Sequence, residues 1–121
     1  MNNLAAARAF YTRVLGLPVV SDFSNRGIAF RCGPGVVIVF DPAESKSAQG
    51  GIPGHGTTGV GHLAFAVDGA DLPAWREHLA KCGVAIESEV DWPSGGRSVY
   101  FRDRAGNVLE LAPPTLWGFT G

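Results

Sequence analysis

His62, Ser98, Tyr100, Arg102 and Glu110 are the residues of this 121-residue chain whose types and spacing point to chemistry. Each lies in a stretch where apolar and polar residues alternate, and alternate side chains of a strand project to opposite faces of its sheet. Leu63, Phe65, Val67, Val99, Phe101, Leu109 and Leu111 then share one face, leaving an imidazole, two hydroxyls, a guanidinium and a carboxylate on the other. Imidazole and carboxylate are ordinary ligands for a divalent ion, and such a polar sheet face is a reasonable place for a site. An antiparallel sheet also commonly leaves one face in water, where the same residues need no task. Parity alone leaves both open.

The elements that must carry these residues follow from periodicity and turn chemistry. Asn2 or Asn3 caps a first helix with Leu4, Ala7, Tyr11, Val14 and Leu15 at helical spacing, ended by Gly16 and Pro18. Three extended pieces follow at 19–23, 28–32 and 36–40, the last two parted by Gly33-Pro34-Gly35. Residues 42–59 turn to Ser, Gly, Pro, Thr and Gln and are expected to form a flexible joint. Beyond it, 61–67 alternates as a strand. Asp71 is expected to cap a second helix, with Pro73 in its first turn, Leu72, Trp75, Leu79 and Cys82 on one face, and Gly83 at its end. Pieces at 84–90, 98–102 and 107–112 complete the series.

Laid over one another at Gly16 and Gly83, the halves repeat at an offset of 67 residues, the mark of a duplication. The reading is one α+β domain over 1–121: two βαβββ modules forming a cupped mixed sheet, with module one at 1–41, a linker at 42–59 and module two at 60–114. The partner of the strand at 61–67 would fall before Met1, so the first strand of module one is absent. An upstream start, a strand supplied by a partner chain, or a three-stranded half with an exposed edge would each account for it; the first is favoured.

Composition narrows the function classes. With 45% apolar and 17% charged residues the chain is expected to be globular. Ten basic against eleven acidic residues give a net charge of -1, which supplies no reason to seek nucleic acid or anionic lipid. No apolar run spans a bilayer and the N-terminus lacks a leader pattern, so a cytoplasmic location is expected. Cys32 and Cys82 are expected as buried, reduced thiols.

Residues 98–111, Ser-Val-Tyr-Phe-Arg-Asp-Arg-Ala-Gly-Asn-Val-Leu-Glu-Leu, resemble the closing hairpin of the vicinal oxygen chelate superfamily, which joins glyoxalases, bleomycin-resistance proteins and extradiol dioxygenases. Residues 61–67 (Gly-His-Leu-Ala-Phe-Ala-Val) resemble the first strand of that family's second half, and residues 9–17 its first helix. The resemblance covers nearly the whole chain. It departs at Arg104, where the family often has proline.

The resemblance implies that His62 and Glu110 hold a divalent metal (Mn, Fe, Ni or Zn) whose open positions grip and polarise vicinal oxygens of a substrate. A third ligand belongs on the absent strand, and the counterpart of Glu110 in the first half falls near Val39, so two protein ligands remain. Tyr100, Ser98 and Arg102 are expected to line the pocket and Val39 to contribute an apolar wall. Arg97, which follows Gly95-Gly96, either pairs with an anionic substrate at the mouth or is a plain surface arginine, and His55 in the joint either reaches over the pocket or is simply solvated. Trp92 and Trp117 are lids, dimer contacts or simple packing. The leading reading is a metal-dependent lyase, isomerase or dioxygenase acting on an oxygenated small molecule, with no residue assigned as general base. The alternative is a metal-free protein that sequesters a drug or metabolite, and a third is a catalytically dead assembly partner. A homodimer is expected from the resemblance and from the unpaired strand edge.

Overall fold

The computed structural model describes residues 3–24, 26–45, 59–93 and 95–117. The chain is α+β and falls into two compact units, Met1–Gly59 and Val60–Gly121.

In the first unit, helix α1 (Leu4–Arg13) is capped by Asn3, whose Oδ1 accepts the Ala6 N–H at 3.0 Å. It stops where Gly16 takes φ +68° and Leu17 N–H reaches back to the Tyr11 carbonyl at 3.1 Å. Strands β1 (Val19–Asp22), β2 (Gly27–Cys32) and β3 (Gly35–Phe40) form an antiparallel sheet in that order. Tyr11 stacks on Phe30 at 5.3 Å and Arg8 pairs with Asp22, which places α1 on the face of Ile28, Phe30 and Val39. Those three are 0–5% exposed, whereas Val36 and Ile38 on the other face are 57% and 44% exposed.

The second unit has the full βαβββ order. Strand β4 (His62–Ala66) and a 3-10 turn (Gly69–Asp71) lead to α3 (Leu72–Lys81), then β5 (Ser88–Asp91), β6 (Arg97–Arg102) and β7 (Val108–Ala112); a second 3-10 turn (Pro114–Trp117) follows. The sheet order is β4-β7-β6-β5, with β4 parallel to β7 and the other pairs antiparallel. Arg76 of α3 donates twice to Glu89 of β5, at 2.9 and 2.8 Å, which sets the helix over the face of Val99, Phe101, Leu109 and Leu111, all at most 1% exposed. A helix of this length gains most of its stability from such packing.

Several local expectations are corrected. Pro42–Ser45, expected within the flexible joint, forms a short helix, α2, whose start is tied by Asp41 Oδ1 accepting the Ala43 N–H. Asp71 makes no side-chain cap; Asp68 does, accepting the Ala70 N–H at 3.0 Å, because the 3-10 turn inserts one more start signal before α3. Strand β5 starts at Ser88 rather than 84. Leu63 is 38% exposed, since its edge strand has only β7 beside it. Cys32 and Cys82 form no disulfide and are only half-buried. Among the described residues no strand lies beside β3 as β4 lies beside β7.

Candidate functional site

The turn between β6 and β7 brings the site residues together. Asp103 Oδ1 accepts the backbone N–H groups of Ala105 and Asn107, its Oδ2 accepts Asn107 Nδ2–H, and Gly106 takes φ +89° to close the turn. Asn107 Oδ1 in turn accepts the Gly61 N–H at 2.7 Å, and Val108 N–H donates to the Gly61 carbonyl. Gly61 is thereby pinned at the head of β7, and the parallel ladder that follows sets Ala64 opposite Glu110 with His62 one step behind on the same face. The Asp-x-x-Gly-Asn sequence thus fixes the register of two strands at once.

On that face His62 Nε2 and Glu110 Oε1 lie 3.0 Å apart. The carboxylate side chain is 9% exposed and the imidazole 49%, so the pair is anchored on the glutamate and reachable through the histidine. Glu110 Oε2 accepts the hydroxyl proton of Ser98 at 2.7 Å, and Ser98, fully buried, accepts Trp92 Nε1–H at 2.8 Å. The Tyr100 ring stacks on His62 with centroids 6.1 Å apart. Burial first, then the charge of Glu110, holds the Tyr100 phenol above its usual pKa, so near neutral pH it is a hydrogen-bond donor.

Not every expected residue is free to serve the site. Arg102 shares the face, but its guanidinium clamps Glu87 at 3.1 and 3.2 Å and donates to the Gly106 carbonyl at 2.8 Å. Arg97 lies on the opposite, helix-covered face, where it binds Asp91 at 2.7 and 3.1 Å and approaches Glu89. The expectation of Arg97 at the pocket mouth is therefore corrected: its odd number puts it with Val99 and Phe101. Val39 is corrected likewise. Its side is that of Phe30 and α1, and the residue in the ladder position of Glu110 is Ile38, opposite Ala29 as Glu110 is opposite Tyr100. His55 lies outside the described residues.

At the ends of β4 and β7 lies a pocket of about 610 Å³ lined by Ala66, Val67, Asp68, Gly69, Gly96 and the Pro113-Pro114-Thr115 run; Ala66 shares the face of His62 and Glu110, neither of which lines the pocket. Asn107 and Asp103 were not singled out for the site from the sequence, although the Asp and Asn of the hairpin motif were the available signal, and Trp92 entered only as a lid, dimer contact or packing residue rather than as a hydrogen-bond donor to Ser98.

Two ligands bound cis to one divalent ion at bonds of about 2.1 Å lie about 3 Å apart. The His62–Glu110 separation and the chemistry of the two donors fit such an ion as two of its ligands. Among the described residues no group of three or more His, Cys, Asp or Glu gathers to hold a metal. No helix among them is long and apolar enough to cross a membrane.

Known proteins resemble this chain along most of its length. A lactoylglutathione lyase from Agrobacterium tumefaciens, known from its crystal structure, is 38% identical, with 99% of this chain and 92% of that one covered and a TM-score of 0.93. The crystal structure of fosfomycin resistance protein FosX from Mesorhizobium loti is 25% identical, covering 97% of this chain and 87% of that one at a TM-score of 0.64. A curated FosX from Mesorhizobium japonicum is 36% identical over 56 residues, 46% of this chain and 40% of that protein, so this match spans less than half of the relative's length. Residues 1–111 match the family model, and the chain belongs to the Glyoxalase/Bleomycin resistance protein/Dioxygenase superfamily.

Proposed function

We propose that the chain is a divalent-metal-dependent enzyme of lyase or isomerase type, acting on a small substrate with neighbouring oxygens and using His62 and Glu110 as protein ligands. The observation that carries this reading is the 3.0 Å approach of His62 Nε2 to a buried carboxylate oxygen whose partner oxygen is already held by Ser98. Such a metal, when bound, supplies Lewis acidity that polarises substrate oxygens. The chain's own residues do the rest. Tyr100 donates a hydrogen bond beside His62, the small side chains of Ala64 and Ala66 leave room over the sheet, and the pocket at the strand ends takes the remainder of the substrate. Similarity to a lactoylglutathione lyase supports the lyase or isomerase class over ring cleavage. A second copy of the chain, supplying further ligands, belongs to this reading.

A second reading, a metal-free binding protein, is favoured by one observation: the described residues bring only two ligands together. Metal-loaded protein incubated with lactoylglutathione, and separately with fosfomycin, tests between them. Consumption of either that depends on added metal and on Glu110 supports the enzyme. Saturable binding of a small molecule by metal-free protein, with no turnover of either compound after loading, supports the binder.

A further inference from the structure

We infer that Trp92 and Ser98 are positioning residues for Glu110, holding one carboxylate oxygen so that the other alone is presented beside His62. The inference deepens the reading of His62 and Glu110 as ligands and rests on it. Its basis is a hydrogen-bond chain with only one possible direction. An indole N–H can donate but not accept, so the 2.8 Å contact of Trp92 Nε1 occupies a lone pair of Ser98 Oγ. The single proton of that hydroxyl then goes to Glu110 Oε2, 2.7 Å away, a charged acceptor that outcompetes the Tyr100 phenol oxygen also within its hydrogen-bonding reach. Ser98 is 0% exposed, so water does not reach its hydroxyl to displace Glu110.

Backbone geometry fixes the start of this chain as firmly as its end. Trp92 N–H donates to the Gly96 carbonyl at 3.0 Å and Gly95 N–H to the Trp92 carbonyl at 2.9 Å, closing the β5–β6 turn around Gly95 and Gly96, both at positive φ. Ser98 sits two residues further on β6, diagonal to Glu110 across the ladder. Gly96 also borders the pocket at the strand ends. A turn that lines the pocket therefore sets the angle of a carboxylate at the site. Residues that orient a metal ligand from behind typically alter metal affinity about 10–100-fold when removed.

The test is calorimetric titration of chelator-treated protein with Zn²⁺, together with the indole N–H resonances of its three tryptophans. Ser98→Ala is expected to weaken Zn²⁺ binding by about 10–100-fold. Trp92→Phe, which keeps a ring but loses the donor, should weaken it by about 2–10-fold, the worth of one hydrogen bond, and Ser98→Thr should restore it. The Trp92 resonance, identified by its loss in Trp92→Phe, should move on adding Zn²⁺ and, without metal, in Glu110→Gln. Wild-type affinity in both Ser98→Ala and Trp92→Phe would overturn the proposal. Should Ser98→Ala fail to fold, Trp92→Phe decides, because that residue is already 36% exposed. If wild-type protein takes up no Zn²⁺, the ligand reading fails by itself; the relay then stands if Glu110→Gln moves the Trp92 resonance and falls if it does not.

Discussion

Asn107 Oδ1 accepts the backbone N–H of Gly61 at 2.7 Å, and this bond between a turn and the start of an edge strand sets the register that brings His62 to Glu110. The residue immediately after Gly61 is the candidate ligand. Small changes at Asn107 are therefore felt at the site without touching it.

Asn107→Ala removes that acceptor and also the donor to Asp103 Oδ2. The expected loss is about 1–3 kcal/mol of stability in chemical denaturation, with faster amide hydrogen exchange along β4 than along β6. Unchanged exchange in β4 would show that the ladder to β7 suffices to hold the strand.

The five polar residues of the site were legible because strand parity is a strict period of two: His62, Ser98, Tyr100, Arg102 and Glu110 do share a face. The same parity argued against Arg97, which proximity to a glycine turn had nonetheless suggested. Val39 failed for a different reason. Matching ladder positions lie 67 residues apart at Ser21 and Ser88, 71 at Ala29 and Tyr100, and 72 at Ile38 and Glu110. The turns of the second half are longer, so no constant offset aligns the halves: an offset of 71, right for Ala29 and Tyr100, puts the counterpart of Glu110 at Val39, one residue past Ile38, and a slip of one reverses the face. Trp92 was illegible because its part depends on a turn folding back over Ser98, which no period reports.

Tyr100 gives a prediction at alkaline pH. Its folded pKa is raised above the ordinary 10.0, chiefly by burial and next by the charge of Glu110. Its contribution to stability is thus fully present below the unfolded value and is lost as pH rises through the folded one. The tyrosinate absorbance of Tyr100, taken as the difference between wild type and Tyr100→Phe, should show it ionising late, earlier in Glu110→Gln but still above an exposed tyrosine, because burial remains. Tyr100→Phe should lose less stability above pH 10 than wild type.

Arg76 and Glu89 give the opposite window. Glu89 is held below its ordinary 4.5 mainly by the hydrogen bond from Arg76, and Asp91 below 3.8 mainly by that from Arg97. A lowered carboxylate pKa contributes stability above the unfolded value that is lost as pH falls through the folded one. Carboxyl carbon NMR titration of Arg76→Gln should return Glu89 toward 4.5 while leaving Asp91 low. A Glu89 titration unchanged by the substitution would show that Arg97 alone holds it.

Whether His62 and Glu110 together bind a divalent metal is decided by elemental analysis of untagged protein purified without chelator. Near-stoichiometric Mn, Fe, Ni or Zn is expected, absent from both His62→Ala and Glu110→Ala although both variants remain folded. Folded wild-type protein that holds no metal even after reloading, or variants that keep it, would contradict the claim.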